Sequence, residues 1–282
     1  MRLLRLGPVL ALLVLLCLAG CRTAEQAAPS QLDSAVSSAV ETPAPSPAPA
    51  PEPAGQAENS QESTLQTGII PEQVLEGETG MIHYSYYLPE GYDPNGAYPL
   101  VMAMPGYDMM WFGEDPSGSN LDWPGFLRWT QLPEDMIVVS AQLTDWGETS
   151  ARQAVELTEY FIQHYAVDTN RVYATGYSAG GETMSRAVAL RPDLYAAYLH
   201  GASQWDGDFS PVAENGVAVY IFMAENDEYY GSERAVEAYD SLHRAYVDAG
   251  WTEEEIAGVL QLQVPDNAWF AEQGISGNYH GG

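Results

Sequence analysis

The stretch Gly176-Tyr177-Ser178-Ala179-Gly180, followed by Gly181, constrains this chain more than any other. The five residues before it, Arg171-Val172-Tyr173-Ala174-Thr175, carry β-branched and aromatic side chains and predict a short buried strand, while Glu182 to Leu190 predicts a helix that starts at once. A strand that reverses into a helix within two residues forces the serine between them into a strained backbone conformation, which only small neighbours tolerate. That is the geometry of a nucleophile elbow. It lifts the Ser178 hydroxyl clear of the sheet. It also leaves the backbone N–H of Ala179 at a helix N-terminus, aimed where an oxyanion would develop. Small residues cluster in ordinary turns as well, so the strand before and the helix after are what give the pattern its meaning.

The rest of the folding region alternates strands and helices. Met81 to Leu88 is an aromatic-rich strand ended by Pro89, and after the turn Gly91 to Gly96 a buried strand runs from Tyr98 to Met104 and stops at Pro105-Gly106. Another buried strand is expected from Met136 to Ala141. Ser150 to Tyr165 then carries apolar residues at 151, 154, 155, 161, 162 and 165, with Thr158 on the same stripe, the spacing of an amphipathic helix. Beyond the elbow come strands near Ala196 to Ala202 and Val217 to Ala224, a helix from Ser232 to Ala249 and a last strand from Gly258 to Val264. This alternation predicts a mainly parallel central sheet with helices on both faces, and in such sheets ligands bind beyond the carboxyl ends of the strands.

Chemistry is therefore sought at those strand ends. Glu225-Asn226-Asp227-Glu228 follows the strand ending at Ala224; Asp227 is the candidate carboxylate to orient a histidine, with Glu225 and Glu228 as rivals. Downstream the histidines are His243, inside a helix, and His280, in a Gly-rich loop beyond the last strand. A loop brings an imidazole over a nucleophile, so His280 is the candidate base. His83, His164 and His200 read as structural, with His200, at a strand end, next in line. The order Ser178, Asp227, His280 is that of the α/β-hydrolases. An unaided serine is a poor nucleophile, so His280 would take its proton during attack and return it to the leaving group, while Asp227 fixes the tautomer and stabilises the imidazolium. Ala179 supplies one oxyanion donor. Tyr107, in Pro105-Gly106-Tyr107-Asp108, is the candidate for the second, with Gly106 allowing close approach. Trp146 and Trp205 each follow a strand and are expected on the active face as substrate-binding rings for a sugar or a phenolic acyl group, with core packing the alternative for each. Trp111, Trp123 and Trp129 fall in the long stretch after the oxyanion segment. No two histidines have metal-ligand spacing and Asp206-Gly207-Asp208 is too short for a calcium loop, so no metal or cofactor is expected.

The ends and the charge set the context. Arg2 and Arg5 precede an apolar run from Leu6 to Ala19, too short for a comfortable membrane span and laid out as a secretory signal. It ends in Leu18-Ala19-Gly20-Cys21, which resembles a bacterial lipobox; the resemblance implies that residues 1–20 are removed and Cys21 is lipidated, giving an extracytoplasmic protein held at the membrane through that lipid alone. Cys17 would leave with the signal, so no disulfide is possible within the mature chain. The formal net charge is −29; removing residues 1–20 takes two of the ten Arg and no acid, leaving eight Arg against 39 acids, or −31. There is no Lys. Such a field repels phosphate backbones, which argues against nucleic-acid binding. Residues 21–67 are Ala, Pro, Ser, Gln and Glu with few large apolar side chains, a composition that does not offset the entropy of ordering, and Thr42 to Pro53 has proline at every second position, favouring a semi-rigid polyproline II spacer. The folded domain is placed at 68–282.

Tyr87-Leu88-Pro89-Glu90-Gly91-Tyr92, Tyr98-Pro99-Leu100-Val101 and Asp168-Thr169-Asn170-Arg171-Val172-Tyr173, leading into Gly176 to Gly181, together resemble the α/β-hydrolase group of bacterial secreted esterases. That group is related to feruloyl esterases, polyhydroxybutyrate depolymerases and prolyl-oligopeptidase-like catalytic domains. The resemblance covers about Ile82 to the C-terminus. It implies the three-layer α/β-hydrolase fold and a serine hydrolase acting on small-molecule or polysaccharide-linked carboxylic esters, including plant-polysaccharide acyl or feruloyl esters. The alternatives are a prolyl-oligopeptidase-like peptidase and a catalytically silent, ligand-binding lipoprotein. Two departures stand out. The group usually has His-Gly where this chain has Pro105-Gly106, and it usually has a closing helix beyond the catalytic histidine, whereas two residues follow His280 here.

Overall fold

A computed structural model describes residues 66–109, 120–142 and 144–281. The signal-like run, Cys21, most of the Ala/Pro-rich stretch and Trp111 lie outside the described residues. Eight strands form one sheet: β1 (Gly68–Gly77), β2 (Gly80–Leu88), β3 (Tyr98–Met104), β4 (Ile137–Gln142), β5 (Val167–Tyr177), β6 (Ala197–Gly201), β7 (Ala218–Phe222) and β8 (Leu260–Gln263). Between them lie α1 (Pro124–Thr130), α2 (Glu148–His164), α3 (Ala179–Leu190), α4 (Phe209–Asn215), α5 (Glu233–Asp248) and α6 (Glu253–Val259), with α7 (Asn267–Glu272) after β8. Among the described residues no helix is long and apolar enough to cross a membrane.

The spatial order is β1-β2-β4-β3-β5-β6-β7-β8, with β1/β2 and β2/β4 antiparallel and every other pair parallel. Pro99 to Met104 of β3 are all buried, as only a strand covered on both faces can be. β1 is an addition to the expected strands. Its Pro71 argues against a strand in sequence, but β1 is the sheet's edge, and its register breaks between Ile70 and Gln73, where Glu72 has φ +55°; an edge bulge is where proline is tolerated.

The chain leaves β3 for β4 on one side and then returns to β5 on the other, so the loops after β3 and β5 diverge from adjacent strand ends. Register carries this edge across the sheet: Met104 lies opposite Gly176, Gly176 opposite His200, Gly201 opposite Phe222, and Phe222 opposite Gln263. The segments that follow β3, β5, β7 and β8 therefore start from one line. Parallel strands joined by helical crossovers converge their loops in this way, and a site is sought here for that reason.

The turn from β5 into α3 is held rigidly. Ser178 has φ +53° and ψ −128°, a conformation costing a non-glycine residue about 1–3 kcal/mol. Its N–H donates to Gly201 O at 3.1 Å, and its carbonyl accepts from Gly181 N–H at 2.7 Å, from Glu182 N–H at 3.2 Å and from the Ser203 hydroxyl at 2.7 Å. The glycines are there because backbone approaches backbone. A Cβ on Gly176 would stand 2.5 Å from Gly180 O, and one on Gly180 would stand 2.2 Å from Pro105 O and 2.5 Å from Met104 O.

Replacing glycine by alanine inside a helix ordinarily stabilises by roughly 0.5–1 kcal/mol. At Gly180 the sign should reverse: the added methyl meets the end of β3, and Gly180→Ala is expected to destabilise by about 2 kcal/mol or more, read as a lower urea midpoint. A midpoint equal to or above that of the unmodified protein would show that the packing of α3 on β3 is not tight.

Candidate active site

Ser178, Asp227 and His280 come from three separate places in the chain and meet at this edge. Ser178 sits at the N-terminus of α3, Asp227 in the loop after β7 and His280 in the loop beyond α7. His280 Nε2 lies 3.0 Å from Ser178 Oγ, and His280 Nδ1 lies 2.8 Å from Asp227 Oδ2. An ionised carboxylate only accepts, so the Nδ1–H donates to Asp227 and Nε2 is left free to take the serine proton. The Asp227 side chain is fully buried. Its other oxygen accepts from the N–H of Tyr230 at 2.7 Å and of Tyr229 at 2.9 Å. Burial pushes the carboxyl up, but the His280 hydrogen bond and the Tyr230 and Tyr229 amides outweigh it, so Asp227 stays ionised below the usual aspartate range.

The imidazole is boxed by tyrosines. Tyr229 stacks on it at 5.3 Å, Tyr177 lies at 5.3 Å and Tyr230 at 5.6 Å. Burial, with Asp227 and Asp108 nearby, pushes the Tyr177 hydroxyl up to about 12, so it stays neutral. Glu228, the sequence rival of Asp227, has a different place. Its two oxygens accept the N–H of Tyr279 and of His280, each at 2.9 Å, clamping the backbone that carries the imidazole. These amides, Tyr279 first, hold the Glu228 carboxyl below its ordinary range. Tyr279 also packs on buried Phe270 of α7 at 5.3 Å. α7 thus packs on the segment just before His280, and the clamp holds the loop that carries it. Glu225 is exposed, and its side chain lies near Asn226.

The loop after β3 runs against the nucleophile. A Cβ on Gly106 would stand 3.1 Å from the Tyr177 ring and 3.5 Å from Ser178 Cβ, so glycine at this position lets the loop pack closely on Tyr177. Tyr107 opens a 3-10 turn and Ala179 opens α3. The exposed ring of Tyr107 lies 5.6 Å from that of exposed Trp146, making an aromatic pair. The Trp146 loop is fixed by Asp145, whose Oδ1 accepts from Gly147 N–H at 2.9 Å and Ser150 N–H at 3.2 Å.

Trp205 is half-buried: the indole N–H donates to Gly207 O at 2.8 Å, and the ring stacks on Phe209 at 5.5 Å beside Tyr198 and His200. These contacts are of the packing kind, the alternative that the sequence left open. Trp129 is buried on α1 and Trp123 is half-buried at its start. The other histidines are engaged elsewhere: His83 within β2, His164 against Tyr160 O at 2.8 Å, and His243 against Glu253 at 3.0 Å. Among the described residues no group of three acids, histidines or cysteines is placed to hold a metal ion.

His200 is fully buried, with Nε2 3.1 Å from Ser203 O and Nδ1 2.7 Å from the Tyr198 hydroxyl. Both ring nitrogens are used, so it braces Ser203, which in turn holds the Ser178 carbonyl. Burial lowers its pKa from 6.5 to about 4. In the unfolded chain His200 takes up a proton as pH falls through 6.5, but in the folded protein not until about 4. Over that window the unfolded state binds more protons, so stability falls as pH falls, by roughly 3 kcal/mol in all. Urea unfolding from pH 7 to pH 4 should show this slope, and His200→Gln should lose the His200 share of it; an unchanged slope in that variant would contradict the assignment.

A model of the prolyl oligopeptidase family matches residues 140–248, a stretch that contains Ser178 and Asp227. No curated protein matches the sequence. Among solved structures the chain is similar to a thermostable esterase, with a TM-score of 0.58 and 21% identity over 74% of this chain and 57% of that one. It is also similar to a protein provisionally assigned as a dipeptidyl aminopeptidase IV from Bacteroides ovatus, with a TM-score of 0.52 and 13% identity over 71% of this chain and 32% of that one. The chain thus spans less than two thirds of the length of either protein, and the likeness is one of fold. With the mainly parallel sheet, the elbow at Ser178 and these likenesses of fold, this chain is an α/β-hydrolase-fold protein, and its stretch from β4 to the end of α5 is similar to the prolyl oligopeptidase family.

Proposed function

We propose that the protein is a serine hydrolase that cleaves carboxylic esters through an acyl-enzyme intermediate. The observation that carries this reading is the hydrogen-bonded line from Ser178 Oγ through His280 to Asp227. In the forward step Ser178 Oγ bonds to the ester carbonyl carbon while its proton passes to His280 Nε2. The carbonyl oxygen gains the negative charge, for which the N–H groups of Ala179 and Tyr107 are the proposed donors; one such donor is typically worth about 3 kcal/mol in the transition state. The bond to the alkoxide then breaks, and His280 returns the proton to it. Water repeats the sequence on the acyl group and frees Ser178. Asp227, kept ionised, stabilises the imidazolium in both halves.

The aromatic pair of Tyr107 and Trp146 supports a substrate with a flat face, such as a sugar or a phenolic acyl group. The prolyl oligopeptidase match favours a second reading, a peptidase acting through the same three groups. The Leu18 to Cys21 sequence supports an enzyme that works outside the cytoplasmic membrane, tethered through a lipid on Cys21.

A fluorophosphonate probe should label the protein, and Ser178→Ala should abolish labelling and lower ester turnover by about four or more powers of ten. Absence of labelling in the unmodified protein would leave only a ligand-binding role. Short acyl p-nitrophenyl esters should be cleaved in preference to Xaa-Pro amides; the reverse preference favours the peptidase. Because Glu228 acts through the backbone of Tyr279 and His280, Glu228→Ala should lower kcat on the order of 10- to 100-fold with little change in KM, and Glu228→Gln, which keeps one acceptor oxygen, should lose less. Equal turnover in both variants and the unmodified enzyme would mean that the loop holds without the clamp.

A further inference from the structure

Among the described residues three aromatic rings are exposed, and all three stand in segments that leave the carboxyl ends of the parallel strands. Tyr107 follows β3, Trp146 follows β4 and Tyr229 follows β7. In the spatial order β4-β3-β5-β6-β7-β8, the strand that leads to Ser178 lies between them, with Tyr107 and Trp146 to one side and Tyr229 to the other. Tyr107 and Trp146 pair with one another, whereas Tyr229 pairs with the base.

Tyr229 is the most exposed of the three, at 74%, yet it is held in place. Its amide donates to Asp227 Oδ1 at 2.9 Å, its ring stacks on the His280 imidazole at 5.3 Å, and the Tyr230 ring meets it edge to face at 4.8 Å. An apolar ring left in water forgoes the gain of burial, and one fixed there by its neighbours is ready to be covered by a ligand.

The reaction says which part of a ligand comes here. When the tetrahedral intermediate collapses, the bond from the carbonyl carbon to the alcohol oxygen breaks, the electron pair leaves with that oxygen, and the proton on His280 Nε2 passes to it. The alcohol oxygen must therefore come within hydrogen-bonding distance of Nε2, the nitrogen that faces Ser178. A group larger than methyl on that oxygen extends beside the imidazole, on which Tyr229 is stacked. The loop that carries Tyr229 also carries the carboxylates of Asp227 and Glu228, which suit a neutral alcohol better than an anionic one.

We infer that Tyr229 is a specificity-determining residue of the hydrolytic site, whose exposed ring receives the alcohol half of the ester and favours a neutral alcohol with a flat apolar face. The inference rests on the serine hydrolase reading and deepens it, assigning the base side of the rim to the leaving alcohol.

The test uses the full chain and two acetates whose alcohols are of similar acidity, benzyl acetate and ethyl acetate. Rates are expressed per site titrated by a fluorophosphonate, so that misfolded protein does not count. Both substrates give the same acetyl-enzyme, so a difference between them arises before the alcohol leaves. The unmodified enzyme should favour the benzyl ester in kcat/KM by about 10-fold, and Tyr229→Ala should reduce that ratio by about 5-fold. Tyr229→Phe, which keeps the ring, should hold the ratio within about twofold, and so should Trp146→Ala, on the other side of Ser178. Deacylation, followed after the burst with p-nitrophenyl acetate, should change less than about twofold in Tyr229→Ala, because the alcohol has gone by then. A ring that only held the imidazole would slow acylation and deacylation together and leave the ratio unaltered. The inference is overturned if the unmodified enzyme cleaves both acetates without preference, if Tyr229→Ala keeps the full ratio or slows both steps alike, or if Trp146→Ala is the variant that loses it. An unmodified protein that neither titrates nor turns over any of these esters overturns the hydrolase reading itself.

Discussion

The strained backbone of Ser178 is the constraint on which the rest of the site depends. At φ +53° the residue is unfavourable in isolation, and it persists because hydrogen bonds over-determine it: Gly201 holds its N–H, and Gly181, Glu182 and Ser203 hold its carbonyl. Those partners belong to the end of the neighbouring strand β6, to the segment just after it and to the helix. Behind them stands a further layer, with buried His200 bracing Ser203. The buried polar groups under the nucleophile are therefore support for one backbone conformation. The glycines serve the same end by letting α3 sit directly on the end of β3.

The parallel sheet then determines which distant residues can join. Because β5, β6, β7 and β8 run in one direction in matched register, the segments that leave their carboxyl ends share a rim. Asp227 follows β7 closely, whereas His280 is reached only after α7 and a further loop. The longer the path, the more the arrival must be fixed locally, and the fixing is visible: Glu228 on two amides, Tyr279 on Phe270, and three tyrosine rings around the imidazole. Acid loop and base loop thus order one another, with Asp227 gripping the side chain and Glu228 the backbone of the same histidine. Two adjacent acids in an acidic loop divide the work of orientation between them.

Some of this was readable from the residues and some was not, for physical reasons. The elbow announces itself because strain at Ser178 leaves a compositional trace, small residues on either side between a strand and a helix. Asp227 and His280 were reachable by position, since strand ends in a parallel sheet are where loops meet. β1 was missed because Pro71 reads against a strand until its place at the edge is known. The short helices α4, α6 and α7, at six or seven residues, are too brief to show a periodicity. For Trp205 the sequence left the active face and core packing both open, because nothing in its flanking residues fixes the turn of its ring. The hold of Glu228 on the His280 loop rests on two hydrogen bonds to partners 51 and 52 residues away, and such contacts have no local sequence signature.

The central claim is that the Ser178 hydroxyl, His280 and two backbone amides act on one carbonyl. It is tested most directly by the crystal structure of the adduct with a short-chain alkyl fluorophosphonate. The account predicts phosphorus bonded to Ser178 Oγ, the phosphoryl oxygen within hydrogen-bonding distance of the Ala179 and Tyr107 amides, and His280 Nε2 beside the bonded oxygen. An unmodified Ser178, or an adduct whose phosphoryl oxygen points away from both amides with His280 displaced, would contradict it.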